Sequence, residues 1–281
     1  MRIVVHGGAG RIREARHAAC RAGCERAARA GWRVLTAGGS ALDAAEAAVR
    51  LLEDDPEFNA GTGAVLRADG RVQLDAAIMD GGDLRFGGVA AVEGIRNPVS
   101  LARRVLEDGR HALLAGPDAT SFAEAAGIPR CDPAALVVDR ERTRWNDRYG
   151  TVGCVALDRD GRLAAATSTG GQFGALAGRV GDSSLPGCGT YADAHAGVSC
   201  TGPGEAIMRT VLARDVAARI AGGDMAGGAA RAALTLLRER TGQDAGLIAI
   251  GRDGGIASAF TTPHMPMARI GADGHLVVGL D

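Results

Sequence analysis

The chain reads as a layered α/β protein, with antiparallel sheets inside and helices packed against them. Three observations lead there. Strand-like and helix-like segments come in groups rather than in strict alternation. The strand segments are short and joined by glycine-centred turns such as Asp69-Gly70 and Arg159-Asp160-Gly161. The helical segments are long, rich in Ala and Arg, and carry a 3.6-residue apolar period. The 281 residues, 46% apolar and 23% charged, have the composition of an ordinary globular protein. They are ample for one buried core and are read as a single unit, 1–281.

Residues 2–6 form an apolar strand closed by Gly7-Gly8-Ala9-Gly10, and helical periodicity follows at about 13–36 and 41–54. Gly38-Gly39-Ser40 separates the two helices, with Ser40 as N-cap. Val65–Leu66 and Val72–Met79 flank Asp69-Gly70 and predict a hairpin, and 86–92 continues the sheet. Helices are expected near 98–108 and 117–126. Residues 139–150 are densely charged without an apolar period, a linker composition that ends at Thr151. A second hairpin, 151–158 and 162–168, opens the remaining part. Helices at 202–220 and 225–239 follow, then strands near 245–251, 254–258 and 274–279.

Several function classes are excluded. A net charge of −1 leaves no electrostatic footprint for nucleic acid or a membrane surface. All 32 basic residues are arginine, which rules out a phosphate-loop lysine and a lysine Schiff base. The six cysteines are scattered, so they read as structural thiols rather than a disulfide framework or a zinc site. His6-Gly7-Gly8-Ala9-Gly10 fails the dinucleotide-binding pattern, and His6 reads as a satisfied buried histidine. No signal-peptide core and no run of about 18 apolar residues is present, so the cytoplasm is the expected location.

Thr151 is the residue that draws chemistry together. It follows Gly150, which leaves the preceding peptide sterically open, and it begins a strand. An attack of its hydroxyl on the Gly150 carbonyl would split the chain there. The product would carry an N-terminal threonine, a hydroxyl nucleophile with its own amine as base. With Gly161 in the left-handed position of a three-residue loop, the hairpin pairs Asp158 with Arg162 and, within a residue, Thr151 with Thr169. Directly opposed Cβ atoms lie about 4.5–5.5 Å apart, close enough for the hydroxyls to bond. Arg179 and Asp182 in Gly178-Arg179-Val180-Gly181-Asp182 fit a clamp for a zwitterion, guanidinium to carboxylate and carboxylate to ammonium. Thr201-Gly202-Pro203-Gly204 leads into a helix, with Gly202 as N-cap and Pro203 at the first position. The Thr201 hydroxyl and the free N–H groups there would make an oxyanion hole. Asn59 is a further polar residue in a tight glycine turn.

These pieces, in this order, resemble the plant-type asparaginase and isoaspartyl peptidase family of N-terminal-nucleophile hydrolases. The matching segments are 6–10, 58–63, 74–81, 150–158, 167–171, 178–183 and 199–205, nearly the whole chain. The resemblance implies an αββα sandwich and self-cleavage between Gly150 and Thr151 into subunits 1–150 and 151–281. It implies hydrolysis of L-asparagine and β-aspartyl dipeptides, small-molecule substrates, without a cofactor. It makes Thr151 the nucleophile, Thr169 its helper, and Thr201 with Gly202 the oxyanion site. Arg179 would hold the substrate α-carboxylate, Asp182 and the Gly204 carbonyl its ammonium, and Asn59 would orient the nucleophile's amine. A structural sodium near 53–62 and a homodimer of cleaved units are also implied. Asp182 is expected to titrate well below the range of the threonine amine. Alternatives are a glycosylasparaginase-like hydrolase, against which Gly150 argues, and a precursor that folds without cleaving. Departures from the family pattern are Gln172–Ala177 at the pocket rim and Thr62 where lysine is common.

Overall fold

The structure is a computed structural model and describes residues 1–138 and 150–280, so most of the charged segment 139–150 lies outside the described residues. Twelve strands build two sheets among those residues. They are β1 (Arg2–His6), β2 (Leu74–Asp80), β3 (Phe86–Val92), β4 (Leu113–Ala115), β5 (Val152–Leu157) and β6 (Leu163–Thr169). The remainder are β7 (Thr190–Ala192), β8 (Ala196–Thr201), β9 (Gly246–Gly251), β10 (Ile256–Phe260), β11 (Met267–Ile270) and β12 (Leu276–Gly279). The larger sheet runs β12-β11-β1-β5-β6-β2-β3-β4 and the smaller β10-β9-β8-β7. Every pairing is antiparallel except β3 with β4.

Helices α1 (Glu14–Thr36), α2 (Ala41–Asp54) and α3 (Pro98–Asp108) cover the outside of the larger sheet, while α4 (Gly116–Ala125) flanks its β3–β4 edge. Helices α5 (Gly204–Thr210), α6 (Leu212–Ala221) and α7 (Ala226–Thr241) cover the outside of the smaller one. Side chains alternate between these layers. Ile3, Val5, Val152 and Cys154 meet α1 and α2, whereas Val4, Val155, Leu163 and Ala165 meet Ile248 and Ile250 across the inter-sheet core. Val198, Cys200, Leu247 and Ala249 turn the other way, onto Ile207, Val216 and Leu234. The central strands are thus apolar on both faces, which is why they read as continuous apolar runs. This is the αββα sandwich expected from the resemblance.

Local signals worked where the backbone itself decided the outcome. Ser40 caps α2 in a reciprocal box, its hydroxyl accepting from Asp43 N–H at 3.1 Å. The β5–β6 turn has Gly161 at φ 76°, and Asp158 N–H donates to the Arg162 carbonyl at 3.0 Å. Val152 then faces Ser168, the register expected.

Other expectations fail for stated reasons. Val65–Leu66 is not a strand: Val65 N–H is claimed by Asn59 Oδ1 at 2.9 Å, and Ala68 N–H by the Ala175 carbonyl at 2.9 Å. Asp69-Gly70 still turns the chain, but into a loop. The helix expected over 202–220 breaks at Val211, which has φ 49°, and it starts later than expected, with Pro203 as N-cap and Gly204 as first residue. Ser199–Thr201 belongs to β8.

The two sheets approach each other closely at Gly153 on β5. A Cβ there would stand on Ser199 Oγ of β8 and 2.6 Å from His6 Nε2. Gly153→Ala is therefore expected to destabilise the fold by about 3 kcal/mol, the upper range for overpacking, measured as a lower denaturant midpoint with an unchanged slope.

Candidate active site

The paired strands β5 and β6 end side by side, and their ends carry the two threonines. Thr151 Oγ1 lies 3.1 Å from Thr169 Oγ1. Thr169 Oγ1 also accepts Gly171 N–H at 2.9 Å, so its lone pairs are engaged and its orientation is fixed. Thr151 is only 6% exposed. A buried hydroxyl held by one neighbour has few rotamers left, which pre-positions it for attack.

Asn59 ties three segments at this point. Its backbone N–H donates to the Gly150 carbonyl at 3.2 Å, and its own carbonyl accepts Gly170 N–H at 2.9 Å. Its side chain accepts Val65 N–H at 2.9 Å and donates to the Gly171 carbonyl at 2.8 Å. The carbonyl that Thr151 would attack is thus already polarised by a backbone donor, the arrangement that stabilises a developing oxyanion. Gly8 packs on the same residue: a Cβ on Gly8 would lie 2.5 Å from Gly150 Cα. The glycines after β1, which fit no nucleotide pattern, serve to bring that turn against Gly150.

Behind Thr151 runs a buried polar chain. Gly8 N–H donates to His6 Nδ1 at 3.3 Å, which leaves the proton on Nε2, 3.0 Å from Ser199 Oγ. Ser199 Oγ bonds Thr167 Oγ1 at 2.8 Å, and Thr167 Oγ1 donates to the Gly189 carbonyl at 3.3 Å. Burial pushes His6 down to about 3, with the Thr151 backbone acting weakly the other way. It is a neutral, satisfied histidine and not a base at neutral pH.

The pocket is lined by Gly150, Thr151, Thr169, Gly171, Gln172, Arg179, Asp182, Gly202 and Gly204, with a volume of about 10 Å³. That is room for roughly one water. Gly204 separates the two charges of the clamp, since a Cβ on it would lie 2.7 Å from both Arg179 Nη2 and Asp182 Oδ1. Arg179 holds Glu205 in bidentate fashion, Nε to Oε1 at 2.8 Å and Nη2 to Oε2 at 3.0 Å. Asp182 is 4% exposed, and its Oδ2 has no hydrogen-bond partner among the described residues. Burial pushes its carboxyl up to about 7, only partly opposed by its own backbone N–H and Arg179. This overturns the expectation that Asp182 titrates well below the amine. Thr201 Oγ1, fully buried, accepts Ala9 N–H at 3.0 Å and so keeps its own proton to donate. With the helix start moved to Gly204, the oxyanion site expected here would rest on Gly202 and the Thr201 hydroxyl rather than on a helix end.

A constellation of this kind can be compared with known proteins. The family model described as Asparaginase matches residues 1–149 and 144–279. The isoaspartyl peptidase/L-asparaginase of Xenopus laevis is 44% identical over 292 residues, covering 99% of this chain and 94% of that protein. The human protein of the same name is 43% identical, covering 99% of this chain and 96% of that protein. The plant-type L-asparaginase of Pyrococcus abyssi is 41% identical, covering 95% of each. The chain belongs to the asparaginase family.

As in the expectation for this family, Thr151, Thr169, Arg179, Asp182, Gly202, Gly204 and Gly150 converge on one pocket. Asn59 and Thr201 stand immediately behind it, bonded to Gly150 and Ala9 respectively. Sequence reasoning missed Arg67 and Asp75. Asp75 accepts Gly181 N–H at 2.7 Å and Ala91 N–H at 2.8 Å, pinning the loop that carries Arg179 and Asp182. An aspartate inside an apolar strand, Leu74–Asp80, was the available signal.

Asn59→Ala would leave the Val65 N–H and the Gly171 carbonyl unpaired. The expected loss is about 2–4 kcal/mol, from two buried groups at the usual cost each, read by denaturant unfolding of the intact chain.

Proposed function

We propose that this asparaginase cuts itself before Thr151 and that the freed threonine then hydrolyses L-asparagine and β-aspartyl (isoaspartyl) dipeptides. The observation that carries the reading is the Thr151–Thr169 hydroxyl pair at 3.1 Å, opening into a pocket that also holds one guanidinium and one orphaned buried carboxylate oxygen. An orphaned carboxylate beside an arginine matches an α-amino acid in its zwitterionic form. The names carried by the relatives support the same substrates.

In self-cleavage, Thr151 Oγ bonds to the Gly150 carbonyl carbon while the Asn59 N–H stabilises the oxyanion. The Gly150–Thr151 C–N bond breaks, and the nitrogen gains a proton as the α-amine. Water then hydrolyses the resulting ester, leaving subunits 1–150 and 151–281. In turnover, that amine accepts the Thr151 hydroxyl proton as Oγ attacks the substrate's side-chain carbonyl. Thr201 and Gly202 take the oxyanion, and the proton passes to the departing ammonia or amino acid. Water releases aspartate and restores the hydroxyl. Arg179 orients the α-carboxylate, while Asp182 and the Gly204 carbonyl orient the ammonium.

Sodium near 53–62 remains part of the proposal. Glu53 Oε2 and Thr62 Oγ1 are buried oxygens without hydrogen-bond partners among the described residues, and Thr62 N–H donates to the Glu53 carbonyl at 2.7 Å. Oxygen-only donors suit a hard cation, and among the described residues no cluster of three or more His, Cys, Asp or Glu side chains competes for another metal. A homodimer of cleaved units in the cytoplasm completes the reading. It is supported by the resemblance, by six free cysteines and by the absence, among the described residues, of a helix long and apolar enough to cross a membrane.

Two outcomes test this. Purified protein should resolve into two fragments by intact mass, and Thr151→Ala should remain one piece and inactive; cutting of that variant at the same bond would assign the cleavage to a contaminating protease. The pH profile follows from two groups. The amine must be neutral, and its ordinary pKa is about 7.7–8.0. Asp182 must be ionised, and in the uncut chain burial pushes its carboxyl up to about 7. Both requirements improve as pH rises, so kcat/KM should climb with a log slope between 1 and 2 below neutrality. Bound substrate ammonium holds Asp182 ionised, so kcat should climb along the amine alone. A single-slope limb shared by both profiles would show that Asp182 is already ionised in the free enzyme.

A further inference from the structure

Arg67 is 2% exposed and lies in the loop before β2, outside every segment that carries the family resemblance. One nitrogen, Nη2, donates to the carbonyls of Gln73 at 3.2 Å and Arg179 at 3.3 Å. The other two, Nε and Nη1, are buried without a hydrogen-bond partner among the described residues. A buried guanidinium in this state is costly, because both its charge and its N–H groups are left unpaid by partners. Asp75 compensates only through space: its oxygens are occupied by the N–H groups of Ala91 and Gly181. Burial lowers the Arg67 pKa, Asp75 opposes this, and Arg179 adds to it.

One of those free donors, Nη1, lies against Gly171 in the wall of the substrate pocket. A Cβ on Gly171 would lie 2.7 Å from Arg67 Nη1 and 3.3 Å from Arg179 Nη1, so the two guanidinium groups converge on one spot of the pocket wall. Gly171 has φ 81° and lines the pocket beside Thr151. Its missing side chain is what lets both guanidinium groups approach that spot. Glu205 meanwhile occupies only the Nε/Nη2 edge of Arg179, which leaves the Nη1 side for a ligand.

We propose that Arg67 is a second carboxylate-recognising residue of this site, its Nη1 joining that of Arg179 on the substrate α-carboxylate. The proposal rests on the asparaginase reading for the identity of the ligand. It gives Arg67 the anion that its buried charge lacks. It also makes the pocket demand a carboxylate more strictly than Arg179 alone would, since a neutral ligand would leave the buried Arg67 guanidinium facing that of half-buried Arg179 without an anion between them.

The test uses fully processed protein and two ligands that are not turned over, L-aspartate and its α-amide isoasparagine, which differ only at the α-carboxylate. Binding is measured by calorimetry for the native protein, Arg67→Gln and Arg67→Lys, with thermal unfolding of each alongside. Arg67→Gln should weaken aspartate at least tenfold while isoasparagine shifts less than twofold. Arg67→Lys, which keeps the charge but not the planar fork, should weaken aspartate about fivefold. For asparagine, both variants should raise KM with kcat within about threefold of native. Equal weakening of the two ligands would make Arg67 a purely structural prop and overturn the proposal, as would unchanged affinity for aspartate. If Arg67→Gln fails to fold, Arg67→Lys decides alone on the same criterion. Asparagine turnover by the native protein is scored separately: its absence would sink the proposed function, while the aspartate comparison would still judge Arg67.

Discussion

The register of one hairpin governs this site. In a β-ladder side chains alternate, so a slip of a single residue between β5 and β6 would separate Thr151 from Thr169 and turn every apolar residue of the slipped strand toward the wrong layer. Both faces are buried here, on α1 and α2 outside and on the smaller sheet inside. The penalty for slipping is therefore paid twice over, and the pairing of Val152 with Ser168 is enforced along the whole length of the hairpin. Catalytic geometry comes from core packing, with the tight Arg159–Gly161 turn setting the count.

Around that anchor the pocket is assembled from loops, and each loop is tied back to a strand by a buried polar group. Asn59 binds its own loop to Gly150 and to Gly170 and Gly171. Asp75 holds the Arg179–Asp182 loop through Gly181 N–H. Thr201 holds the turn after β1 through Ala9 N–H. Positive and negative groups follow one another from Arg67 through Asp75 and Arg179 to Asp182 and Glu205. Low exposure of Arg67, Asp75 and Asp182 strengthens the fields among them, and burial is also what raises Asp182 toward neutrality.

Much of this was legible in the sequence, for physical reasons that differ by residue. Turn chemistry and a side-chain period of two were enough to place Thr151 opposite Thr169. The grouping of strands and helices was enough for a layered α/β fold, and motif order for the αββα arrangement. Short strands escaped notice: β7, β8 and β11 are three to six residues long and interleaved with glycine or polar residues, so no apolar period marks them. Val65–Leu66 looked like a strand because its donors are satisfied by a side chain and a distant loop, which no local pattern reveals. Arg67 and the raised carboxyl of Asp182 were invisible for a related reason. Burial of a charge is a property of the assembled tertiary structure, and a loop arginine or aspartate reads as solvated until its surroundings are known.

The small pocket has a meaning for the life of the molecule. With Gly150 joined to Thr151 and forming part of its wall, the cavity admits about one water and no amino acid. A newly made chain would therefore be dormant, and one peptide bond would act as its timer. The amount of working enzyme at any moment would depend on the interval between synthesis and that first cut. Slowing the cut, by loosening the Asn59 contact to the Gly150 carbonyl, would lengthen the silent period. Abundance of the protein and abundance of its activity would then be two separately adjustable quantities.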